Sequence, residues 1–236
     1  MTKITIKIIY DNCKENAELQ EGWGFAAYVE IDNRRILFDI GNDREAFFSN
    51  SAKMGIDLQE ITDVIFSHKH ADHIAGCEEI LKQLPENTRL FLPKGFPLRK
   101  VPKNLQMQIV SNFAEIEENI FSMALKCGFF LYEQSLILQT EKGLVILTGC
   151  AHPGIVNILE KAQEKFNRPI YLILGGFHLF RKNCHFIDDV VNKFQSLQVK
   201  QVAPCHCSGE LTIKKFQETY LQDFHKIGTG SVLIIS

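Results

Sequence analysis

The sequence predicts an α/β (α+β) protein in which two mixed β-sheets pack face to face with helices outside. Short runs of β-branched and aromatic residues recur along all 236 residues. Some are joined as tight hairpins, which pair antiparallel; others alternate with helical stretches, which favour parallel pairing. Both patterns occur before and after about residue 112. Their coexistence in one chain suits two stacked sheets with a helical layer on each outer face. The length fits a single domain over 1–236, built as two pseudo-symmetric halves that share a core.

Lys3 to Tyr10 alternates like a strand. Phe25 to Ile31 and Arg34 to Ile40 form a hairpin turning at Asp32-Asn33, a pair suited to a tight turn. A helix is expected from Asp43 to Met54, stopped by Gly55. Val64 to Ser67 is a short buried strand, and a helix from Ile74 to Leu84 ends before Pro85. Strands are expected at Arg89 to Leu92 and Met107 to Val110, flanking a Pro- and Lys-rich loop from Pro93 to Asn104.

In the second half, Ser135 to Thr140 and Leu144 to Thr148 form a hairpin across Glu141-Lys142-Gly143. Helices are expected at Gly154 to Phe166, Phe186 to Leu197 and Thr212 to Tyr220. Strands are expected at Ile170 to Leu174, Gln201 to Ala203 and Ser231 to Ile235.

With 45% hydrophobic and 23% charged residues the composition is that of a globular domain. A net charge of −2 with no basic tail argues against nucleic acid or an anionic membrane surface as partner. No apolar run approaches the roughly 20 residues that cross a bilayer. Met1 leads straight into alternating apolar residues rather than a signal peptide, and the 7 cysteines follow no disulfide framework. Reduced thiols and a cytoplasmic location are therefore expected.

The chemistry concentrates in His68-Lys69-His70-Ala71-Asp72-His73, which holds three of the 8 histidines and directly follows the apolar run Val64-Ile65-Phe66. Residues two apart in an extended segment project to the same side, so His68 and His70 can close on one cation. After a bend, Asp72 and His73 can reach a second. Imidazole and carboxylate are ordinary zinc ligands, and paired cations suit hydrolysis.

Elsewhere, apolar strands repeatedly end in a residue able to ligate. Asp39 follows Ile36-Leu37-Phe38, Cys150 and His152 follow Leu144 to Thr148, His178 follows Tyr171 to Gly176, and His206 follows Val202-Ala203-Pro204. Taken singly, each has another reading. Asp39 suits a turn cap, Cys150 a small buried hydrophobe and His152 the start of a helix. His178 suits a packed core histidine, and Cys205-His206-Cys207 a zinc knuckle, although no second cysteine pair stands at finger spacing. Taken together, they suit convergence on one cleft.

The stretches Phe38-Asp39-Ile40-Gly41 and Ser67 to His73 resemble the metallo-β-lactamase-fold superfamily. Four further stretches are similar to the group named for dihydropterin-methyl ribofuranosylaminobenzene phosphate synthase. They are Gly22-Trp23-Gly24-Phe25, Thr148 to Asn157, Gly175-Gly176-Phe177-His178-Leu179 and Cys205-His206-Cys207-Ser208-Gly209. The resemblance implies an αββα sandwich with its metals at one sheet edge. His68, His70 and His152 would hold one metal, and Asp72, His73 and His206 the other. Asp39 would orient a histidine ligand. Many relatives carry a bridging Asp where this chain has Cys150, whose thiolate would ligate, bridge in its place or leave the bridge to hydroxide alone.

The expected function is a metal-dependent hydrolase whose dinuclear site acts on a phosphoester or cyclic ester of an anionic small molecule, phosphorylated or carboxylated. Zinc, as two ions, is the expected cofactor, with iron or manganese as alternatives. Asp72 would accept a proton and His178 would hydrogen-bond substrate or a developing oxyanion. The competing expectation is a non-enzymatic binding or sensing protein with a metal-stabilised pocket; iron in the same ligands would instead suit redox chemistry. Lys94, Arg99, Lys100 and Lys103 beside Phe96 are expected either to grip an anionic ring-containing substrate or to form a solvated connector. The sequence leaves the oligomeric state open.

Overall fold

The computed structural model describes residues 3–236. The first sheet contains β1 (Ile4–Tyr10), β2 (Ala26–Ile31), β3 (Arg34–Phe38), β4 (Asp63–Ile65), β5 (Arg89–Pro93) and β6 (Gln106–Val110). The second contains β7 (Phe113–Glu117), β8 (Ile120–Cys127), β9 (Leu131–Thr140), β10 (Gly143–Thr148), β11 (Ile170–Gly176) and β12 (Gln201–Cys205). The last strand, β13 (Val232–Ile235), returns to the first sheet and pairs antiparallel with β1. The spatial orders are β13-β1-β2-β3-β4-β5-β6 and β12-β11-β10-β9-β8-β7.

Each sheet is antiparallel where hairpins connect its strands and parallel where helices do. From β3 to β6 the pairing is parallel, as it is from β10 to β12. Two of the helices in the first half are α1 (Arg44–Lys53) and the four-residue α2 (Ala71–Ile74). The third is α3 (Cys77–Leu81). The second half carries α4 (Ile155–Phe166), α5 (Cys184–Ser196) and α6 (Glu210–Tyr220).

Alternation along the strands divides the apolar residues into three layers. Ile6, Phe25, Phe38, Ile65 and Phe91 of the first half meet Leu136, Leu138, Val145, Leu147, Leu172 and Leu174 of the second to form the layer between the sheets. Leu37, Val64 and Phe66 turn outward onto Phe47 and Ile80 of the first helical layer. Ile146, Ile173 and Val202 turn outward onto Ile158, Phe194 and Phe216 of the second. The result is the expected αββα sandwich.

Three readings of the sequence need correction. The helix expected from Ile74 to Leu84 is the shorter α3, because α2 ends at Ile74 and Gly76, at φ 72°, interrupts the helical backbone before Cys77. The β7–β8 hairpin falls where no strand was expected; Glu115, Glu117 and Glu118 mask its alternation. Phe96 cannot grip a ligand, since it is buried and stacks on Phe66 at 5.0 Å. Lys94 lies over the Tyr132 ring, and the Lys100 side chain falls outside the described residues. Among the described residues no helix is long and apolar enough to cross a membrane.

Candidate active site and metal centre

Parallel strands open a crevice beyond their carboxyl ends, because the chain turns there into loops and helices. Asp39, His68, Cys150, His178 and His206 all follow such ends, on β3, β4, β10, β11 and β12. Four residues at these turns adopt left-handed backbone: Asp39, Ala151, His178 and His206, with φ of 58°, 61°, 55° and 49°. This conformation costs free energy for a side chain with a Cβ and persists where the surroundings enforce it.

Close approach of backbone completes the crevice. A Cβ on Gly149 would come within 2.1 Å of Ser67 Oγ, so only glycine lets the end of β10 pack on the start of the His68 loop. A Cβ on Gly176 would meet Gly149 O at 2.4 Å and Cys207 Sγ at 2.6 Å.

Every expected ligand is brought together, in two sets. In the first, His70 Nδ1 lies 3.0 Å from His68 Nε2 and 3.1 Å from His152 Nε2. In the second, Cys150 Sγ lies 3.2 Å from His73 Nε2 and 3.4 Å from His206 Nε2. Asp72 Oδ2 is 3.7 Å from His73 Nε2 and 3.5 Å from His206 Nε2. Cys150 groups with His68 and His152 as well as with the second set, so its sulfur stands between them.

The donor chemistry fits a pair of metal ions. Zinc–nitrogen bonds of about 2.0–2.1 Å and zinc–sulfur bonds of about 2.3 Å place tetrahedral donors roughly 3.3–3.6 Å apart, close to these separations. Burial, reinforced by the neighbouring imidazoles, lowers the pKa of His68 well below its ordinary value and that of His152 to about 3. Burial likewise lowers His70. Neutral rings present lone pairs, and several lone pairs facing one another are mutually repulsive unless a cation lies among them.

The other ring nitrogens are held from behind. Asp39 Oδ2 accepts from His73 Nδ1 at 2.8 Å and from Ser67 Oγ at 2.5 Å, while Oδ1 accepts from the Ser67 N–H at 2.7 Å. Burial opposes charge on His73, but the Asp39 carboxylate outweighs it and raises the pKa. Ser67 Oγ lies 2.9 Å from His68 Nδ1, and Asn12 Oδ1 lies 3.0 Å from His206 Nδ1. Burial opposes ionisation of Asp72, yet the His206 and His73 side chains prevail and hold its carboxyl well below the usual range.

Several participants were not foreseen. Glu133, fully enclosed on β9, accepts from the backbone N–H groups of Cys150, Ala151 and His152 at 2.7–2.8 Å and so fixes the ligand turn. Burial raises its pKa to about 7 despite those bonds. Gln134 beside it donates to Phe66 O and Phe91 O, tying the second sheet to the first beneath the His68 loop. The available signal was Glu133-Gln134-Ser135, three polar residues directly ahead of the apolar run Leu136-Ile137-Leu138 in the same strand.

Cys207 joins Cys150 and His178 in a third close group, and its thiol hydrogen-bonds Cys150 O at 3.5 Å. His178 borders the first set, its ring centroid 4.3 Å from that of His152. Its pKa is raised, chiefly by the Cys207 side chain. Trp23 Nε1 donates to Asp72 Oδ2 at 3.0 Å.

The αββα sandwich superposes on solved structures of metallo-β-lactamase-fold proteins, and this chain has that fold. Tm1679, a metal-dependent hydrolase of the β-lactamase superfamily, superposes with a TM-score of 0.84 at 29% identity over 99% of both chains. The 7,8-dihydropterin-6-methyl-4-(β-D-ribofuranosyl)-aminobenzene-5′-phosphate synthase of Methanocaldococcus jannaschii is 26% identical over 91% of this chain and 90% of its own. A diphosphatase from the PhnP family shares the fold, with a TM-score of 0.64 at 14% identity over 100% of this chain and 98% of its own. Residues 16–97 match the family described as Anti-Pycsar protein Apyc1.

Proposed function

We propose that the chain is a metal-dependent hydrolase that holds two zinc ions and cleaves a phosphoester or cyclic ester of an anionic small molecule. The observation that carries this reading is the convergence of two donor sets at metal-ligand spacing, Asp72, His73 and His206 on one side of Cys150 and His68 and His152 on the other, with His70 beside the latter two. His68, His70 and His152 would hold one ion, and Asp72, His73 and His206 the other, with Cys150 shared. When bound, such ions supply Lewis acidity that activates water near neutral pH and stabilises charge on a leaving oxygen.

The protein's own groups divide the remaining work. Asp39 and Asn12 fix the tautomers of His73 and His206, and Glu133 fixes the turn that carries Cys150 and His152. The low pKa of Asp72 makes it a weak base, which favours the ligand role over proton acceptance. His178, half-buried beside His152, would donate a hydrogen bond to substrate. The small-molecule specificity and the intracellular thiol chemistry expected from the composition belong to the same reading.

Metal analysis of anaerobically purified protein, followed by turnover of bis(p-nitrophenyl) phosphate and a lactone panel, tests it. Two metal equivalents and metal-dependent turnover are expected. Metal binding with no turnover of either ester class would overturn the hydrolase reading in favour of a ligand-binding role. Absence of metal uptake would overturn the centre itself.

A further inference from the structure

The turn between β8 and β9 holds the two most exposed large apolar side chains among the described residues, Phe129 at 87% and Phe130 at 84%. Cys127 pairs with Leu131, so only residues 128–130 lie outside the ladder. Gly128, at φ 60°, makes the turn, and a Cβ there would meet nothing within 4 Å. The two rings lie 6.4 Å apart and belong to none of the three apolar layers. Adjacent phenylalanines held in water by a short turn contribute nothing to the core and mark a contact surface.

Three lysines surround the base of this tip. Lys126 stands opposite Tyr132 in the ladder, next to the last pair before the turn. Lys94 Nζ lies 5.5 Å from the centre of the Tyr132 ring, and Lys69 Nζ donates to Phe130 O at 3.1 Å. All three are exposed, and none pairs with a carboxylate among the described residues. Glu133, the next acidic residue along β9, is buried and turned toward the 150–152 backbone, so it leaves their charge uncancelled. The net charge of −2 argues against a broadly basic surface but does not bear on a patch this local.

We propose that the Phe129–Phe130 turn docks the protein on an anionic lipid surface. The two rings enter the boundary between headgroups and acyl chains, while Lys69, Lys94 and Lys126 meet the headgroups. Area separates this partner from a second copy of the chain. Two aromatic side chains bury roughly 300–500 Å² at most, whereas a stable protein interface takes about 800 Å² from each side. A bilayer asks for less area, because apolar insertion adds to electrostatic attraction. Each lysine beside an anionic surface contributes about fivefold to such binding. The contact is peripheral and reversible, and it is independent of the hydrolase reading.

Co-sedimentation of zinc-loaded protein with two kinds of vesicle tests the proposal. One is phosphatidylcholine alone, and the other an equimolar mixture of phosphatidylcholine and phosphatidylglycerol. Binding is expected to the mixed vesicles, to fall as salt is added, and to be at least tenfold weaker on phosphatidylcholine. Phe129→Ser combined with Phe130→Ser is expected to lower binding at least tenfold while leaving thermal unfolding and metal content unchanged. Lys94→Gln combined with Lys126→Gln should cost about 25-fold on the mixed vesicles, fivefold for each lysine. No binding to the mixed vesicles, equal binding to both kinds, or undiminished binding by the phenylalanine variant would overturn the proposal. Sedimentation velocity showing a dimer that the phenylalanine variant dissolves would also overturn it, by giving the tip to a second copy.

Discussion

The two donor sets share a cleft and a sulfur but differ in construction. His68, His70 and His152 are all imidazoles, and His70 is exposed at the cleft surface. Among these three, Ser67 Oγ on His68 is the ring partner from behind. In the other set, His73, Cys150 and His206 are buried, Asp39 and Asn12 hold His73 and His206 from behind, and Trp23 donates to the Asp72 oxygen that faces them. Partners of that kind fix ring orientation and raise ligand basicity. One site is thus assembled from a pre-organised inner position and a looser outer one, which predicts unequal affinities for the same metal.

The largest expected effect follows from removing an inner ligand. His73→Ala should eliminate one metal equivalent and lower hydrolysis on the order of a thousandfold, since the groups that stabilise developing charge act together. Unchanged metal content would place the inner position elsewhere. Next is Asp39→Ala, which touches no metal in this assignment. It should weaken inner binding about 10–100-fold in a chelator competition and lower stability of the metal-free protein by about 1–3 kcal/mol through the partners it orphans. Equal weakening at both positions would erase the contrast.

Graded chelation of the unaltered protein should release the outer equivalent first, followed by metal analysis at each step; simultaneous loss would show the two positions to be one unit. His178→Ala should retain both equivalents and slow turnover only about tenfold, the worth of one hydrogen bond to a charged group. Loss of an equivalent would make His178 a ligand. The smallest change is spectroscopic. Cys150→Ser should remove the sulfur-to-metal charge-transfer absorption of cobalt-loaded protein, and a retained band would assign that absorption to Cys207.

Much of this construction was legible in the sequence because it is local. The His68–His73 cluster sits on consecutive residues, and strand-end positions such as Asp39 and His206 follow visible apolar runs. What escaped was non-local. Asn12 reaches His206 across 194 positions, and Glu133 reaches the 150–152 turn from a neighbouring strand. No periodicity marks a carboxylate whose partners are backbone N–H groups elsewhere in the chain. Gly76 was visible, but its consequence was not: a glycine inside a helical pattern marks either a tolerated defect or a break. The β7–β8 hairpin was hidden because solvent-facing glutamates lower β-propensity without preventing pairing.

The return of β13 to the first sheet bears on the order in which the site is assembled. β1 pairs with β13, and Thr229 Oγ1, just ahead of that strand, accepts from the Asp11 N–H beside Asn12. The loop that orients His206 is therefore locked by contacts spanning most of the chain. Closing so long a loop is entropically costly and kinetically slow. The His68 cluster can form as soon as the first parallel strands pair, whereas the inner position waits for the final strand. A newly made chain should pass through a stage in which it offers His68, His70, Asp72 and His73 without His152 or an oriented His206, and commitment to metal should coincide with the last step of folding.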